Sequence, residues 1–387
     1  MEASLSDAQR FRAEIVGSIT DIEAESWDSA TQGNPFLQHA FLSALEQSGS
    51  ATSETGWQPY HIQLSDITSR QTVGYSPCYL KAHSYGEYVF DHAWANALER
   101  AGGQYYPKLQ SSVPFTPVTA PRLLTTGPAD IQIKKSLLHS VTGAVQQLSL
   151  SSAHLTFLEK NEAQLAAELG FLVRTDQQFH WMNKGYSSFD AFLEALSSRK
   201  RKQIKKERRI ALENGISIEH LRGNEISEEH WDHFFAFYQD TGARKWGTPY
   251  LNRCFFSLLQ QSMPENIVLF LCKRNGKYIA GALNFLGPNT LYGRYWGCLE
   301  DHPCLHFETC YYQAIEYAIN NGLGWVEAGA QGPHKLARGY EPIKTYSAHW
   351  IANEGFKEAV DRFLKIERHD IDAEVEYLTT KTPFKKG

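Results

Sequence analysis

The sequence lacks long hydrophobic runs, and cysteine is sparse in it. No stretch of the 387 residues approaches the ~20 consecutive apolar residues of a membrane-spanning helix, so we expect no integral membrane contact. The opening residues, MEASLSDAQRFRAEI, contain no apolar run, which argues against a secretory signal peptide. The six cysteines lie scattered at positions 78, 254, 272, 298, 304 and 310, a density typical of free thiols in a reducing compartment. The sequence therefore predicts a cytoplasmic protein.

Motifs for metal binding and covalent catalysis are missing as well. The segment CLEDHPCLHFETC (298–310) collects three cysteines and two histidines, but its spacing matches no paired C-x-x-C pattern. Buried free thiols are therefore favoured over zinc, and we expect no metal. The chain has no G-x-S-x-G elbow and no plausible Cys–His dyad, so covalent catalysis is not indicated.

Positive charge is concentrated in one segment of a chain whose formal net charge is −5. The stretch RKRKQIKKERR (199–209) contains eight basic residues and one acidic residue. Like charges four residues apart destabilise a helix, and a polyphosphate backbone would relieve their repulsion. The alternative is a solvated helix end. The predicted nucleic-acid contacts fall on two faces of this helix: Arg199, Lys202, Lys206 and Arg209 on one, and Arg201, Lys205 and Arg208 on the other.

Hydrophobic patterns predict an α/β (α+β) fold, with a similar order of elements in the two halves of the chain. Strand-like alternation and helical periodicity are mixed in the first 150 residues and begin again near residue 176. Three β-runs between 266 and 299 are separated by Asn275–Gly276 and Gly287–Asn289, which are turn signals of an antiparallel meander. We predict two domains, 1–175 and 176–387, each with a mixed, largely antiparallel sheet flanked by helices. A basic helix over 188–214 opens the second domain.

Seven blocks of the sequence resemble the FemAB-like predicted N-acyltransferases of the GNAT superfamily. They are SYGEYVFDHAWANA, YYPKLQSSVPFTPV, SSRKRKQIKKERR, TGARKWGTPYLN, LYGRYWGC, HFETCYYQAIEYAI and EAGAQGPHKLARGY. Three stretches, LYGRYWG, YAINNGL and VEAGAQG, are also similar to Fem-type peptidyltransferases, which move an amino acid from aminoacyl-tRNA onto a peptidoglycan-precursor amine. The resemblance implies two tandem GNAT-like domains and acyl transfer to an amine. It leaves the donor open.

The donor can be examined at the turn LEDHPCLH (299–306), which precedes a predicted helix. Acyl-CoA-dependent GNAT domains hold the diphosphate on the backbone of a glycine-rich turn at a helix N-terminus. This turn has no glycine, and Glu300 and Asp301 stand where the diphosphate would bind. Aminoacyl-tRNA is therefore the preferred donor, with acyl-CoA the alternative. Trp246 and Tyr250 are suited to stacking on a base or sugar, although packing explains a lone Trp equally simply.

Glu308 is the first candidate for a catalytic base. It falls off the polar face of the helix predicted over about 304–321, so its carboxylate should point inward, where burial would raise its pKa. The alternative is a buried carboxylate paired with an arginine such as Arg294.

The loop EAGAQGPHKLARGY (327–340) supplies three further candidates, Glu327, His334 and Lys335. His334 is the only one of these candidates whose ordinary pKa lies near 7, and Lys335 and Arg338 are suited to an oxyanion or phosphate. The alternative is a solvated connecting loop. The predicted substrate contacts of the second domain are Arg244, Trp246, Arg294, Tyr295, Gln331, Arg338 and Tyr340.

In the first half, HSYGEYVFDHAW (83–94) collects polar and aromatic residues suited to an acceptor groove. Its predicted substrate contacts are His83, Tyr85, Glu87 and Asp91. A strand followed by a helix cap explains Asp91 equally well.

The sequence thus predicts an N-acyltransferase that forms an amide bond on an amine of a small molecule or peptide, with aminoacyl-tRNA as donor. The alternatives are an acyl-CoA-dependent N-acetyltransferase and a non-catalytic module that binds tRNA or a cell-wall precursor. We expect no cofactor apart from acyl-CoA as the alternative donor. The oligomeric state is not indicated.

Overall fold

The computed structural model describes residues 10–128, 130–245, 249–329 and 332–385. Up to residue 182 the chain alternates short strands and helices. The strands are β1 (Phe11–Val16), β2 (Trp57–Pro59), β3 (His61–Asp66), β4 (Thr72–Ser76), β5 (Cys78–Lys81), β6 (Lys108–Ser111), β7 (Leu124–Thr125), β8 (Ser152–Leu158) and β9 (Leu172–Met182). The helices are α1 (Ala24–Asp28), α2 (His39–Gln47), α3 (His92–Arg100), α4 (Ile131–Gln147) and α5 (Lys160–Glu168).

The remaining elements follow from residue 189. The helices are α6 (Phe189–Ala195), α7 (Ser198–Ala211), α8 (Glu228–Lys245), α9 (Arg253–Ser262), α10 (Leu305–Phe307), α11 (Gln313–Asn320) and α12 (Glu354–Thr379). The strands are β10 (Ile216–Arg222), β11 (Ile267–Arg274), β12 (Lys277–Leu286), β13 (Thr290–Cys298), β14 (Trp325–Glu327) and β15 (Glu341–Ile351). A π-helical turn, Glu308–Tyr312, joins α10 to α11, and a 3-10 turn, Pro333–Arg338, follows β14. None of the described helices is both long enough and apolar enough to cross a membrane.

The chain forms two compact units. Unit 1 comprises the described residues through Asp176 together with Lys344–Asp372, and unit 2 comprises Gln177–Ile343 and the described residues from Ala373. The segment Lys344–Asp372 thus groups with unit 1, whereas the predicted domains, 1–175 and 176–387, assign it to the second.

Each unit contains mixed, largely antiparallel β-structure. In unit 1, β1, β3, β4 and β7 form an antiparallel sheet, and β15, β8, β6, β5 and β2 are hydrogen-bonded in that order with only β6 and β8 parallel. In unit 2 the order is β10-β11-β12-β13-β14-β9, and β13 and β14 form the parallel pair. The predicted α/β class, with such sheets flanked by helices, is confirmed, as is the meander β11–β12–β13.

Helix α4 illustrates how the sequence builds the core of unit 1. The Asp130 side chain caps its N-terminus by accepting a hydrogen bond from the Gln132 amide. Its buried face repeats at intervals of three and four residues, and it packs over Leu64 and Leu109 of the strands. That face consists of Ile133, Leu137, Leu138, Val141, Ala144 and Val145.

The predicted helix over 188–214 is wrong in one respect, because the structure contains two helices there. Leu196 ends α6 in an extended conformation and forms a β-bridge with Phe384, and the Ser197 amide donates to the Pro383 carbonyl oxygen. The C-terminal segment therefore takes up backbone groups that a continuous helix would bond internally. The apolar seam itself is buried as predicted, at Phe192 and Ile204 among others.

Candidate active site

A cavity opens in unit 2 where strands β13 and β14 part. They pair only between Thr290–Tyr292 and Trp325–Glu327, and β13 then continues to Cys298 while β14 ends. The cavity has a volume of about 80 Å³. It is lined by Ala282, Leu283, Asn284, Gly293, Arg294, Tyr295, Trp296, His306, Cys310, Tyr311 and Ala328. Space between two parted strands gives a ligand access to backbone and side-chain groups of the sheet.

A β-bulge places Arg294 at this cavity. Leu283 pairs with Tyr295 and Asn284 with Gly293, so Arg294 is the extra residue on β13. Its side chain is 2% exposed, and Nη2 lies 3.2 Å from Oε2 of Glu327. The predicted substrate contact Arg294 and the predicted catalytic Glu327 thus form a buried ion pair.

Glu327 also faces His180 of β9. Its Oε1 lies 3.8 Å from His180 Nδ1. Burial lowers the pKa of His180 from its ordinary value, although the Glu327 charge opposes that shift. A neutral imidazole leaves Arg294 as the cationic partner of Glu327.

Lys335 adjoins the cavity through the 3-10 turn. Its Nζ donates a hydrogen bond to the carbonyl oxygen of Gly329, 2.8 Å away, and Gly329 follows the cavity residue Ala328. The side chain is buried, and this burial, aided by the positive charge of Arg294, lowers the pKa of Lys335 to about 7. At neutral pH a substantial fraction of Lys335 is therefore an uncharged amine that can accept a proton.

His334 reaches the cavity through Tyr311. The Nε2 atom of the His334 imidazole lies 2.9 Å from the Tyr311 hydroxyl, and Tyr311 lines the cavity. Burial, with Arg338 and Lys335, lowers the pKa of His334 below its ordinary value, whereas burial raises the pKa of Tyr311. Both groups are consequently uncharged near pH 7 and linked by one hydrogen bond.

Glu308 points inward, as its helical position predicts, and is fully buried. Its partner is Arg208 rather than Arg294: Oε1 accepts from Arg208 Nη2 at 3.0 Å and from Gln313 at 2.6 Å. Burial raises the pKa of Glu308, although Arg208 opposes the shift. Arg208 also bonds Glu316 at 2.6 Å, so this ion-pair cluster joins α7 to the helix that begins at α10. A catalytic role for Glu308 stays a prediction.

Arg338 and Tyr340 fix the loop that carries Lys335. Arg338 donates to Glu207 at 3.0 Å and to the His334 carbonyl oxygen at 2.8 Å, and its guanidinium lies 3.5 Å from the centre of the Phe307 ring. The buried Tyr340 packs edge-on against Tyr311. Arg338 is therefore engaged with a carboxylate at the position where an anion contact is predicted.

A glycine closes the same loop. Gly339 has φ +92°, and a Cβ there would lie 2.7 Å from the Phe192 ring. Glycine fits this position because it tolerates a positive φ and has no Cβ that would collide with the Phe192 ring.

The other predicted contacts of unit 2 are dispersed. Tyr295 lines the cavity and packs edge-on against Tyr238. Arg244 lies exposed on α8 and donates to the Cys298 carbonyl oxygen at 2.6 Å. Trp246 and Gln331 lie outside the described residues.

Helix α7 presents one of its two predicted basic faces to solvent. The exposed basic residues are Arg199, Lys202, Lys205, Lys206 and Arg209. The second face is partly occupied by ion pairs, because Arg208 turns inward to Glu308 and Lys205 lies 3.1 Å from Asp190. Arg201 is half-buried. Binding of nucleic acid by this helix stays a prediction.

A second cluster of charged residues is buried in unit 1, around Lys108. Lys108 Nζ donates to Glu87 at 2.8 Å, to Ser84 at 2.9 Å and to Asp91. Burial raises the pKa of Glu87 to about 7. For Asp91 burial also acts to raise the pKa, but Lys108, His154 and Ser84 together outweigh it and lower the pKa. Asp91 occupies the N-cap position of α3 but makes no side-chain cap bond, so a capping role does not account for its carboxylate.

The remaining predicted residues of unit 1 lie beside this cluster. Lys81 Nζ is 3.6 Å from the Trp57 ring centre and contacts His83 Nδ1 at 3.4 Å. Burial lowers the pKa of Lys81 to about 7. Tyr85 is 59% exposed, and its ring packs edge-on against His83. An acceptor-binding role for these residues stays a prediction.

The site residues that the sequence did not predict are those whose neighbours come from distant strands. Lys81 and Lys108 sit at buried positions of β5 and β6, and Asn284 sits at a buried position of β12. For Lys81 the available signal was a charged residue that directly follows the apolar run Cys78–Leu80. Among the described residues, no three His, Cys, Asp or Glu side chains are placed to hold a metal ion.

Comparison with known proteins places the chain in a family. The sequence matches the FemAB-like family, described as one of peptidoglycan biosynthesis/recognition, over residues 18–386. The chain belongs to the FemAB-like family. No curated protein matches it.

FemX and L-PGS share the fold of this FemAB-like chain at low sequence identity. FemX aligns with a TM-score of 0.54 at 13% identity, covering 90% of this chain and 100% of FemX. L-PGS from Bacillus licheniformis aligns with a TM-score of 0.51 at 10% identity, covering 87% of this chain and 98% of L-PGS. A tandem GNAT protein from the clavulanic acid biosynthesis pathway has a TM-score of 0.47 at 10% identity over 89% of this chain. The predicted FemAB-like family is confirmed.

Proposed function

We propose that this FemAB-like protein transfers an aminoacyl group from aminoacyl-tRNA to an amine of a peptidoglycan-precursor peptide or a similar small acceptor. The observation that carries the proposal is the buried Lys335, whose pKa of about 7 and contact with Gly329 put a proton acceptor beside the cavity. The family description, peptidoglycan biosynthesis/recognition, supports the class of acceptor. Because aminoacyl-tRNA is made in the cytoplasm, the reaction takes place there.

In the proposed reaction a neutral amine of the acceptor attacks the ester carbonyl carbon of aminoacyl-tRNA. The new C–N bond forms as Lys335 Nζ takes the proton that the amine loses. The C–O ester bond then breaks, and the ribose oxygen of tRNA leaves with a proton from Lys335. Lysine returns to its neutral form, so protons balance over one turnover.

Tyr311 is proposed to stabilise the oxyanion that forms during attack. In the proposed tautomer, with the proton on Nε2, His334 donates to the Tyr311 oxygen 2.9 Å away, which leaves the Tyr311 hydroxyl proton for the oxyanion. Both groups are uncharged near neutral pH, as this arrangement requires. Arg294 contributes less to the oxyanion, because Glu327 already balances its charge.

Two features support tRNA rather than acyl-CoA as the donor. The exposed basic face of α7 offers several cations to a phosphate backbone. The turn 299–306 has no glycine and carries Glu300 and Asp301. Arg274 binds Glu300 at 2.7 Å, which offsets one of the two carboxylates, but the turn still lacks the backbone that a diphosphate needs.

The test offers the protein one labelled donor at a time. Radiolabelled aminoacyl-tRNAs and radiolabelled acetyl-CoA are incubated separately with a peptidoglycan-precursor peptide, and label on the peptide is counted. We expect transfer from aminoacyl-tRNA that RNase treatment abolishes. Transfer from acetyl-CoA alone would replace the proposed donor, and tRNA binding without any transfer would favour the recognition module.

A further inference from the structure

Asn284 has an orientation that its neighbours determine. The residue is 1% exposed, and its amide nitrogen donates to the carbonyl oxygens of Val268 at 3.3 Å and Ala282 at 3.2 Å. Carbonyl oxygens only accept hydrogen bonds, so the NH₂ group of Asn284 must face them. The carbonyl oxygen, Oδ1, must then face the other way.

Oδ1 of Asn284 faces the cavity side of the β-bulge. It lies 3.3 Å from the position that a Cβ would take on Gly293, and both residues line the cavity. Among the described residues, no donor makes a hydrogen bond to Oδ1. A buried carbonyl oxygen without a donor is unfavourable, and a ligand N–H or O–H in the cavity would satisfy it.

Gly293 keeps the approach to Oδ1 clear. A Cβ at this position would lie 3.3 Å from Asn284 Oδ1 and 3.6 Å from the Glu327 carbonyl oxygen. A side chain on residue 293 would therefore occupy the space in front of Oδ1. The glycine and the oriented amide together make a small acceptor site at the cavity wall.

We propose that Asn284 Oδ1 accepts a hydrogen bond from the α-amino group of the transferred aminoacyl moiety, and that it thereby selects aminoacyl donors over simple acyl donors. The inference rests on the proposed function, of which it specifies the donor. A cavity of about 80 Å³ has the volume of a few water molecules, which suits a small aminoacyl group.

The chemistry of the site points to an amine. Oδ1 is an acceptor only, so it binds neither a carbonyl nor a phosphate oxygen. The Arg294 charge is balanced by Glu327, so the wall adds no net charge that would draw an anion. Of the groups that react here, amines carry N–H donors: the α-amino group of the donor and the acceptor amine. We assign the former, and the latter is an outcome of the test.

The test compares two donors that differ at one group. The wild type and Asn284→Leu, a replacement of similar shape, are supplied with an aminoacyl-tRNA and with its deaminated counterpart, in which hydrogen replaces the α-amino group. We expect the wild type to prefer the aminoacyl donor by about tenfold in kcat/KM, as one neutral hydrogen bond allows. Asn284→Leu should reduce that preference to within about twofold, with little change for the deaminated donor.

Several outcomes separate this inference from the proposed function. An equal loss of kcat/KM with both donors in Asn284→Leu would overturn the role of Asn284 but not the transfer reaction. The same holds if the wild type shows no preference between the two donors. A donor preference that survives in Asn284→Leu, with a raised KM for the acceptor amine, would overturn the assignment to the donor. No transfer from any aminoacyl-tRNA by the wild type would instead overturn the proposed function.

Gly293→Ala provides a second variant in case Asn284→Leu fails to fold. Its added methyl group would lie 3.3 Å from Oδ1, in front of the acceptor, and Asn284 itself is unchanged. We expect the same selective loss of the aminoacyl donor, and unchanged donor preference in this variant would contradict the proposal.

Discussion

Lys335 combines the two properties that a proton acceptor at neutral pH requires. It is buried beside a cavity, and it keeps a hydrogen bond to Gly329 that fixes its position. An ordinary lysine is almost wholly protonated at pH 7, whereas burial and Arg294 bring this one into the working range. Its reactivity thus follows from its surroundings.

The first prediction concerns the pH dependence of transfer. Since the neutral amine accepts the proton, kcat/KM should rise as the pH increases through about 7, the pKa of Lys335. Lys335→Met should lower kcat about 100-fold, the typical contribution of a general base. Lys335→Arg, which stays charged, should be no more active. A pH–rate profile for each variant checks this, with the exposed Lys277→Met as control.

The same pKa has a consequence for stability that is independent of catalysis. The pKa of Lys335 is about 7 in the folded state and near its ordinary 10.5 in the unfolded state. Below pH 7 lysine is charged in both states, so the full free-energy cost of burying the charge destabilises the fold. This cost decreases as the pH rises from 7 toward 10.5. Lys335→Met should therefore raise the thermal midpoint most at pH 6, and the gain should shrink by pH 9. A gain that grows with pH would contradict the assigned pKa.

Glu308 allows two roles to be separated by experiment. We predict that Glu308→Gln, which leaves Arg208 without a buried carboxylate, lowers the free energy of unfolding by about 3 kcal/mol. In the folded variant kcat should stay within about threefold of the wild type. Urea denaturation and transfer rates measure the two effects. A 100-fold loss of kcat at unchanged stability would identify Glu308 as the base.

Whether a side chain points into the core is easier to predict from sequence than which residue it pairs with. The helical position of Glu308 indicates that it points inward, and this is confirmed. The sequence does not indicate that Arg208 is its partner, because the two residues meet only when α7 packs beside the π-helical turn. Asn284 and the bulge at Arg294 escape sequence analysis for a similar reason, since a bulge is a property of strand pairing.

At the scale of elements, the meander β11–β12–β13 is well specified by local sequence. Asn275 and Gly276 both take positive φ at the first turn, as the residues of this turn require. The predicted helix over 188–214 misses its break, because the interruption depends on Phe384 and Pro383, far along the chain. Helix α12 and strand β10 are absent from the predicted elements.

The break between α6 and α7 leads to a prediction about the C-terminus. Ending the chain after Thr382 removes the bridge to Leu196, the acceptor for the Ser197 amide and the donor to the Ala195 carbonyl oxygen. We expect the free energy of unfolding to fall by about 2 kcal/mol, the scale of two or three hydrogen bonds. Chemical denaturation measures it. A chain ending after Lys385 is the control, and equal stability of the two would contradict the role given to this segment.

The next prediction concerns the binding of tRNA by helix α7. Changing Lys202 and Lys206 to Gln should weaken tRNA binding and reduce the slope of log Kd against log salt by one to two, about one for each phosphate that the helix no longer neutralises. Arg362 and Lys365, exposed on α12, are charge-matched control positions. Binding titrations at several salt concentrations measure the slope. An unchanged slope in the α7 variant would remove this helix from the tRNA interface.

At the scale of the whole molecule, composition and sequence resemblance specify more than local patterns do. The α/β class and the FemAB-like family follow from the sequence and are confirmed. The compact units depend on contacts that bring 344–372 back to unit 1, and no local pattern encodes such a return. The buried charges around Lys108 likewise arise from two separate segments of unit 1, residues 84–91 and β6.

The central claim is that the cavity with Lys335 transfers an aminoacyl group from tRNA to an amine. A single-turnover experiment tests it most directly: excess protein is mixed with labelled aminoacyl-tRNA and a peptidoglycan-precursor peptide, and label on the peptide is followed in time. We predict transfer by the wild type and by Lys277→Met, and about 100-fold slower transfer by Lys335→Met. Transfer at an equal rate in Lys335→Met, or its absence in the wild type, would contradict the account.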